Sequence, residues 1–168
     1  MPVRDLEWFG GDCSLLHVWS NRGANGIDGV IASAIGVAIA TRQKTLVLLG
    51  DVAFLHDSSS LTALADRDVD LKIVVTDNDG GGIFHYLPQA EVVSEQVFEK
   101  LFGTPHQTDL LQMAQAHRLA TFECDSVEQL QKSLSTPGSC VIRVRTDRKS
   151  EVAIHQQLHE LVSSAILA

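Results

Sequence analysis

The chain has 168 residues, of which 45% are hydrophobic and 20% charged, and 13 Lys and Arg against 21 Asp and Glu leave a formal net charge of −8. That balance, with no Lys/Arg block, argues against a nucleic-acid surface, and the length predicts one domain that buries roughly 70% of its unfolded surface. The longest apolar run, 30–40, is interrupted by Ser33 and falls short of the ~20 residues a bilayer requires. Cys13, Cys124 and Cys140 are odd in number and lack metal spacing, so they read as reduced thiols. Met1-Pro2-Val3-Arg4 leads into charged residues rather than an apolar stretch, which predicts a cytoplasmic protein.

Residues 1–10 are ambiguous, with a helix carrying Arg4 and Trp8 as one reading, and 15–20 reads as a strand. Gly23, Gly26 and Gly29 mark a tight loop over 21–29. Asp28 is a fair N-cap for an apolar helix over 29–41; Gly36 and the alanines within it predict close packing against a sheet or another subunit. A second strand, 45–49, is followed by a helix over 52–66 with Phe54, Leu55, Leu61 and Leu64 facing inward. A third strand, 71–76, runs into a long loop, 77–90. Helices follow over 94–102, with Val97, Phe98, Leu101 and Phe102 inward, and over 109–117, capped by Thr108 or Asp109. The remainder reads as a strand at 119–123, a helix at 127–134 capped by Ser126, a strand at 140–145 and a helix at 149–167. Such alternation predicts an α/β fold, a three-layer open parallel sheet with helices on both faces.

The chemistry gathers between Gly50 and Phe84. In open α/β sheets ligands bind outside the carboxyl ends of strands. Asp51 closes the second strand, and Asn78 lies one crossover later, just past the third. If those strands are neighbours, a carboxylate and an amide oxygen enter one crevice. The tract Gly80-Gly81-Gly82 can turn a backbone carbonyl, that of Gly80, toward the same point. Hard oxygen ligands suit Mg²⁺ or Ca²⁺, and Mg²⁺ commonly completes its shell with water and substrate phosphate. The helix opening after Asp51 favours an anion, so the pattern describes a magnesium diphosphate site. The competing reading makes Asp51 a helix cap, Asn78 a turn residue and the glycines a flexible turn.

Gly50-Asp51, followed after one crossover by Asn78 at a strand end, resembles the diphosphate-binding signature of thiamine-diphosphate enzymes. The flanking runs Asn21-Arg22-Gly23-Ala24-Asn25-Gly26-Ile27-Asp28-Gly29 and Gly80-Gly81-Gly82-Ile83-Phe84-His85-Tyr86-Leu87-Pro88 narrow the resemblance. They look like the C-terminal third of the 2-succinyl-5-enolpyruvyl-6-hydroxy-3-cyclohexene-1-carboxylate synthase family. The resemblance implies the thiamine-diphosphate-binding fold, with thiamine diphosphate and Mg²⁺ (or Mn²⁺) as cofactors. Asp51, Asn78 and Gly80 are then the metal ligands. Gly26, Ile27, Gly50, Asp51, Val52, Ala53, Asn78, Gly80, Gly81, Gly82 and Ile83 contact the cofactor, with Ile27 as the wedge that keeps it bent. Arg22 and Arg4 bind substrate carboxylate, a task that suits the planar, bidentate guanidinium, and Ile83, Phe84 and Leu87 form an apolar substrate wall. Asp77 departs from the pattern, which usually carries a second Asn there; its carboxylate either strengthens the metal site or faces solvent.

The same resemblance implies decarboxylation of 2-oxoglutarate and addition of the succinyl semialdehyde unit to isochorismate, in menaquinone or phylloquinone synthesis. No catalytic residue is then expected in this chain, because the activating glutamate belongs to the N-terminal domain of a neighbouring subunit. With that pyrimidine-binding domain and the middle domain absent, the isolated chain is expected to be silent and prone to self-association, and the full-length protein a homo-oligomer. Two other readings remain: an enzyme of the acetolactate synthase type, and a non-catalytic module that binds Mg-diphosphate. His155 and His159 lie i, i+4 but lack the Glu of a zinc-protease motif, so no metal is assigned to them.

Overall fold

The computed structural model describes residues 2–11, 16–21 and 26–167. The chain divides into two compact units, Met1–Asp77 with Gln107–Arg145, and Asn78–His106 with Thr146–Ala168.

The first unit is built on a four-stranded sheet, β1 (Thr45–Gly50), β2 (Leu71–Asp77), β3 (Ala120–Cys124) and β4 (Cys140–Arg145), in the order β1-β2-β4-β3. Every pairing is parallel, so the fold is α/β, as the alternation of elements predicts. β2 and β4 hold the centre, and their near-continuous apolar runs are what a strand covered on both faces requires. Leu71, Ile73, Val75 and Val141 point to one face. There they meet Ile31, Ala34, Ile35 and Ala38 of α2 (Val30–Thr41), Phe54 of α3 (Asp51–His56), Leu61 and Leu64 of α4 (Leu61–Leu64) and Leu110 and Ala114 of α7 (Leu110–Ala116). Val74, Cys140 and Ile142 point to the other face, where Leu130 and Leu134 of α8 (Val127–Leu134) pack beside Cys124. Fully burying such side chains contributes about 1.5–3 kcal/mol each. Cys124 and Cys140 are free and buried, and burial pushes the Cys140 thiol up. Lys72, fully buried in β2, donates from its ammonium to the Asp70 carboxylate and the Gly138 carbonyl.

α1 (Pro2–Phe9) packs beside β1. The strand expected over 15–20 does not form among its described residues, where Leu16, Val18 and Trp19 are exposed. An apolar segment becomes a strand only where an edge and a covering surface receive it. Asp28 does not cap α2: Gly29, in a left-handed conformation at φ 69°, precedes the helix, and no side chain caps it. Gly36 faces solvent, so close packing of this helix comes from Ala34 and Ala38. The helix expected over 52–66 breaks after His56 into a 3-10 turn, Ser58–Ser60, and α4. The cause is local. Asp57 turns its carboxylate to the Ala32 N–H at 2.9 Å and the Ser60 hydroxyl at 2.6 Å, and such side-chain bonds compete with a continuing helix. Asp109 and Ser126 cap α7 and α8 as expected, accepting from backbone N–H groups two or three residues ahead.

The second unit contains a 3-10 turn (Gly82–Tyr86), α5 (Gln89–Val92), α6 (Glu95–Phe98) continuing into a π turn (Glu99–Gly103), and α9 (Arg148–Leu167). The loop expected over 77–90 is therefore partly helical. The 94–102 helix changes pitch at Glu99, where the Thr104 N–H bonds back to the Glu99 carbonyl at 2.7 Å. Among the described residues, no helix is long and apolar enough to cross a membrane.

Candidate diphosphate and metal site

β1 and β2 are in register with Gly50 level with Thr76. The next residues, Asp51 at the start of α3 and Asp77 at the last position of β2, therefore lie side by side at the carboxyl ends of the strands, where α/β sheets bind ligands. Carboxylate oxygens of Asp51 and Asp77 approach within 4.8 Å of one another. Asp51 is only 2% exposed, and its carboxylate accepts from the Val52 N–H at 2.7 Å. A buried and a largely buried carboxylate this close call for compensating positive charge nearby. Hard anionic oxygens in such a pair fit Mg²⁺ or Mn²⁺.

Asp77 does not face solvent. Its side chain is 11% exposed and 3.9 Å from the Arg143 guanidinium. Arg143, buried in β4, also lies 3.7 Å from Asp109 and donates to Glu123 at 2.9 Å, while Arg145 donates to the other Glu123 oxygen at 2.8 Å. The hydrogen bond from Arg143 holds the Glu123 carboxyl below the usual range. Arg143 is a partner for Asp77 that the sequence reading missed. The available signal was a guanidinium inside an otherwise apolar buried strand, which demands compensating charge.

Asn78, one residue past β2, opens the second unit. Its amide Nδ2 donates to Glu151 Oε2 on α9 at 3.2 Å. The three glycines each have a distinct steric reason. Gly80 has φ 138°, and a Cβ there would fall 2.0 Å from the Gly103 carbonyl oxygen. At Gly81 it would fall 2.3 Å from the Phe102 carbonyl, and at Gly82 2.7 Å from Asn78 Nδ2. The Gly103 carbonyl accepts from the Gly81 N–H and from Arg148 Nη1, both at 2.8 Å, and Arg148 Nη2 donates to Glu99 at 2.8 Å. Asp79, at φ 57°, accepts from the His106 N–H at 3.0 Å. Backbone at Gly80 and Gly81 is thus packed too closely against other main chain for any side chain, while at Gly82 a Cβ would displace the Asn78 amide.

Ile83, Phe84 and Leu87, on and just after the 3-10 turn, are 37–43% exposed rather than buried as core, and Phe84 packs on Phe102 with ring centroids 5.6 Å apart. In the first unit, Gly26 and Ile27 are exposed shortly before α2, and Val52 and Ala53 form the partly buried first turn of α3. Arg4 sits half-buried on α1; Arg22 lies outside the described residues. His155 is engaged with the Tyr86 hydroxyl through Nδ1.

Residues 14–144 match the family described as thiamine pyrophosphate enzyme, C-terminal TPP binding domain. The chain is also 41% identical over 99% of its length to the 2-succinyl-5-enolpyruvyl-6-hydroxy-3-cyclohexene-1-carboxylate synthase of Chloroflexus aurantiacus. Synthases of the same name from Myxococcus xanthus and Bacillus pumilus are each 37% identical over 99% and 94% of the chain. The chain spans 29%, 29% and 28% of the lengths of these three relatives. A family match over most of the sequence, on a parallel sheet with its acidic residues at the carboxyl strand ends, leads to one conclusion: the chain belongs to the thiamine pyrophosphate enzymes, as a C-terminal TPP-binding domain.

Proposed function

We propose that this chain is the magnesium- and thiamine-diphosphate-binding domain of a synthase that decarboxylates 2-oxoglutarate and adds the succinyl semialdehyde unit to isochorismate, in menaquinone or phylloquinone biosynthesis. The observation that carries the reading is the adjacency of Asp51 and Asp77 at the ends of two in-register parallel strands, in a chain that resembles synthases of that name. Asp51, Asn78 and the Gly80 carbonyl are the ligands assigned to Mg²⁺, and Gly26, Ile27, Gly50, Val52, Ala53, Gly81, Gly82 and Ile83 the contacts to the cofactor.

When bound, thiamine diphosphate supplies the electron sink that decarboxylation of a 2-oxo acid needs. The chain's own work is to bind and orient. Asp51 offsets metal charge from a buried position, where a fixed carboxylate acts more strongly than in water. The glycine tract lets main chain approach without a Cβ in the way. Arg22 and Arg4 pair with substrate carboxylates, and the exposed apolar faces of Ile83, Phe84 and Leu87 exclude water from the carbon skeleton. No catalytic acid or base is assigned here; the activating glutamate belongs to the N-terminal domain of such synthases, so these 168 residues alone turn nothing over. The complete enzyme is a cytoplasmic homo-oligomer.

The test is a synthase assembled from this chain and the preceding segment of the Chloroflexus aurantiacus relative. It is expected to consume 2-oxoglutarate and isochorismate, to do so only with a divalent cation, and to lose turnover on Asp51→Ala. Condensation of pyruvate in place of that pair, or full turnover by the Asp51→Ala enzyme, overturns the proposal.

A further inference from the structure

We propose that Glu151 is a positioning residue for the metal site: through its hydrogen bond to the Asn78 amide it dictates which way that amide faces. The proposal rests on the assignment of Asn78 as a ligand of the divalent cation. An ionised carboxylate can only accept hydrogen bonds. The group that Asn78 turns toward Glu151 Oε2, 3.2 Å away, must therefore be the NH₂, and the planar amide then directs its oxygen away from Glu151. A metal needs that oxygen, and an asparagine rotated by half a turn about its last bond would offer two hydrogens instead.

Three features hold the pair in place. Gly82 leaves it room: a Cβ there would lie 2.7 Å from Asn78 Nδ2 and 3.6 Å from Glu151 Oε2. The first turn of α9 is anchored three and two residues before Glu151, by Arg148 on Glu99 and the Gly103 carbonyl and by Lys149 on Glu95. Asp147 completes the anchor, its carboxylate accepting from the Ser150 N–H at 2.8 Å and its carbonyl from the Glu151 N–H at 3.0 Å. Glu151 thus stands on a fixed element, the condition for an outer residue to orient a ligand. Asn78 and Glu151 are far apart in sequence, on segments with no shared motif, so the pairing is visible only in three dimensions.

The experiment is a titration of the isotope-labelled chain with MnCl₂, read as paramagnetic broadening of the Asn78 side-chain amide and the Gly80 backbone amide, with MgCl₂ as competitor. In wild type both signals broaden and Mg²⁺ restores them. Glu151→Ala weakens Mn²⁺ binding about 10-fold, the low end for loss of an outer-shell partner. Glu151→Gln removes the same charge but keeps an acceptor oxygen on the same stem, so it loses less and preserves the Asn78 side-chain resonance better. Equal losses in the two variants would reduce Glu151 to a distant charge and overturn the proposal, as would an unchanged affinity in Glu151→Ala. Should that variant fail to fold, an Asn78 side-chain resonance and Mn²⁺ affinity both unaltered between wild type and a variant that cannot accept, Glu151→Leu, overturn it equally. No broadening in wild type overturns instead the assignment of Asn78 to the metal.

Discussion

Replacing Gly80 by alanine tests how tightly the glycine tract is built. Its φ of 138° is a region L-residues rarely adopt, and holding alanine there costs about 1–3 kcal/mol. The new Cβ would also fall 2.0 Å from the Gly103 carbonyl oxygen and 2.7 Å from Arg148 Nη1. The guanidinium can swing aside, but the carbonyl is main chain and must retreat as a peptide. In retreating it gives up the Gly81 N–H at 2.8 Å and Arg148 at 2.8 Å, about 1 kcal/mol for the neutral bond and about 1.5–3 for the charged one. The total lies between about 3.5 and about 7 kcal/mol, a large share of the roughly 5–15 typical of a whole domain. Urea titration followed by hydrogen exchange at the Gly81 amide reads it directly: Gly80→Ala should lower the opening energy of that amide by this amount. Gly36→Ala is the control, because nothing lies within 4 Å of a Cβ there and the position is exposed in α2; it should stabilise by about 0.5–1 kcal/mol. If Gly80→Ala stays within about 1 kcal/mol of wild type and Gly81 remains protected, the steric reasoning is wrong.

Asp57→Ala removes an acceptor shared by the Ala32 N–H and the Ser60 hydroxyl at a position 8% exposed; a loss of about 2–4 kcal/mol is expected, measured as a fall in the urea midpoint, and an unchanged midpoint refutes the role of Asp57 in joining α2 to the 3-10 turn. Glu123, held below its usual 4.5 chiefly by the hydrogen bond from Arg143, contributes stability that is present above its unfolded value and lost as pH falls through the lower folded one. Carboxyl NMR should therefore place its midpoint below 4.5, and Arg143→Met should raise it; a wild-type midpoint at or above that value contradicts the pairing.

The sheet was legible in sequence because its central strands are contiguous apolar runs between turn residues. Residues 140–145 match β4 in full, and 45–49 and 71–76 each fall one residue short of β1 and β2. Asp51 was readable because a Gly-Asp pair closes such a run. Hidden from sequence were features set by a partner elsewhere in the chain. The 15–20 segment has strand composition, but its described residues stay exposed. The 52–66 helix breaks because Asp57 bonds to α2, and no local propensity encodes Ala32. Arg143 and Glu151 escaped notice since their partners, Asp77 and Asn78, are adjacent in sequence but are met from different segments. Glycine in the tract was expected for ligand approach, yet the 99–103 turn and Asn78 already demand it.

Lys72 has a consequence for how the sheet finds its pairing. β2 is buried on both faces along a near-continuous apolar run, so its side-chain pattern alone does little to reject a shift in register. A slide of the strand would carry the Lys72 ammonium, with Asp70 travelling on the same segment, away from the Gly138 carbonyl that now receives it, and leave a buried cation short of an acceptor. One sequestered cation at the start of the central strand thereby serves as an alignment pin, and the acidic residues at the strand's far end reach their stations because the near end admits a single position.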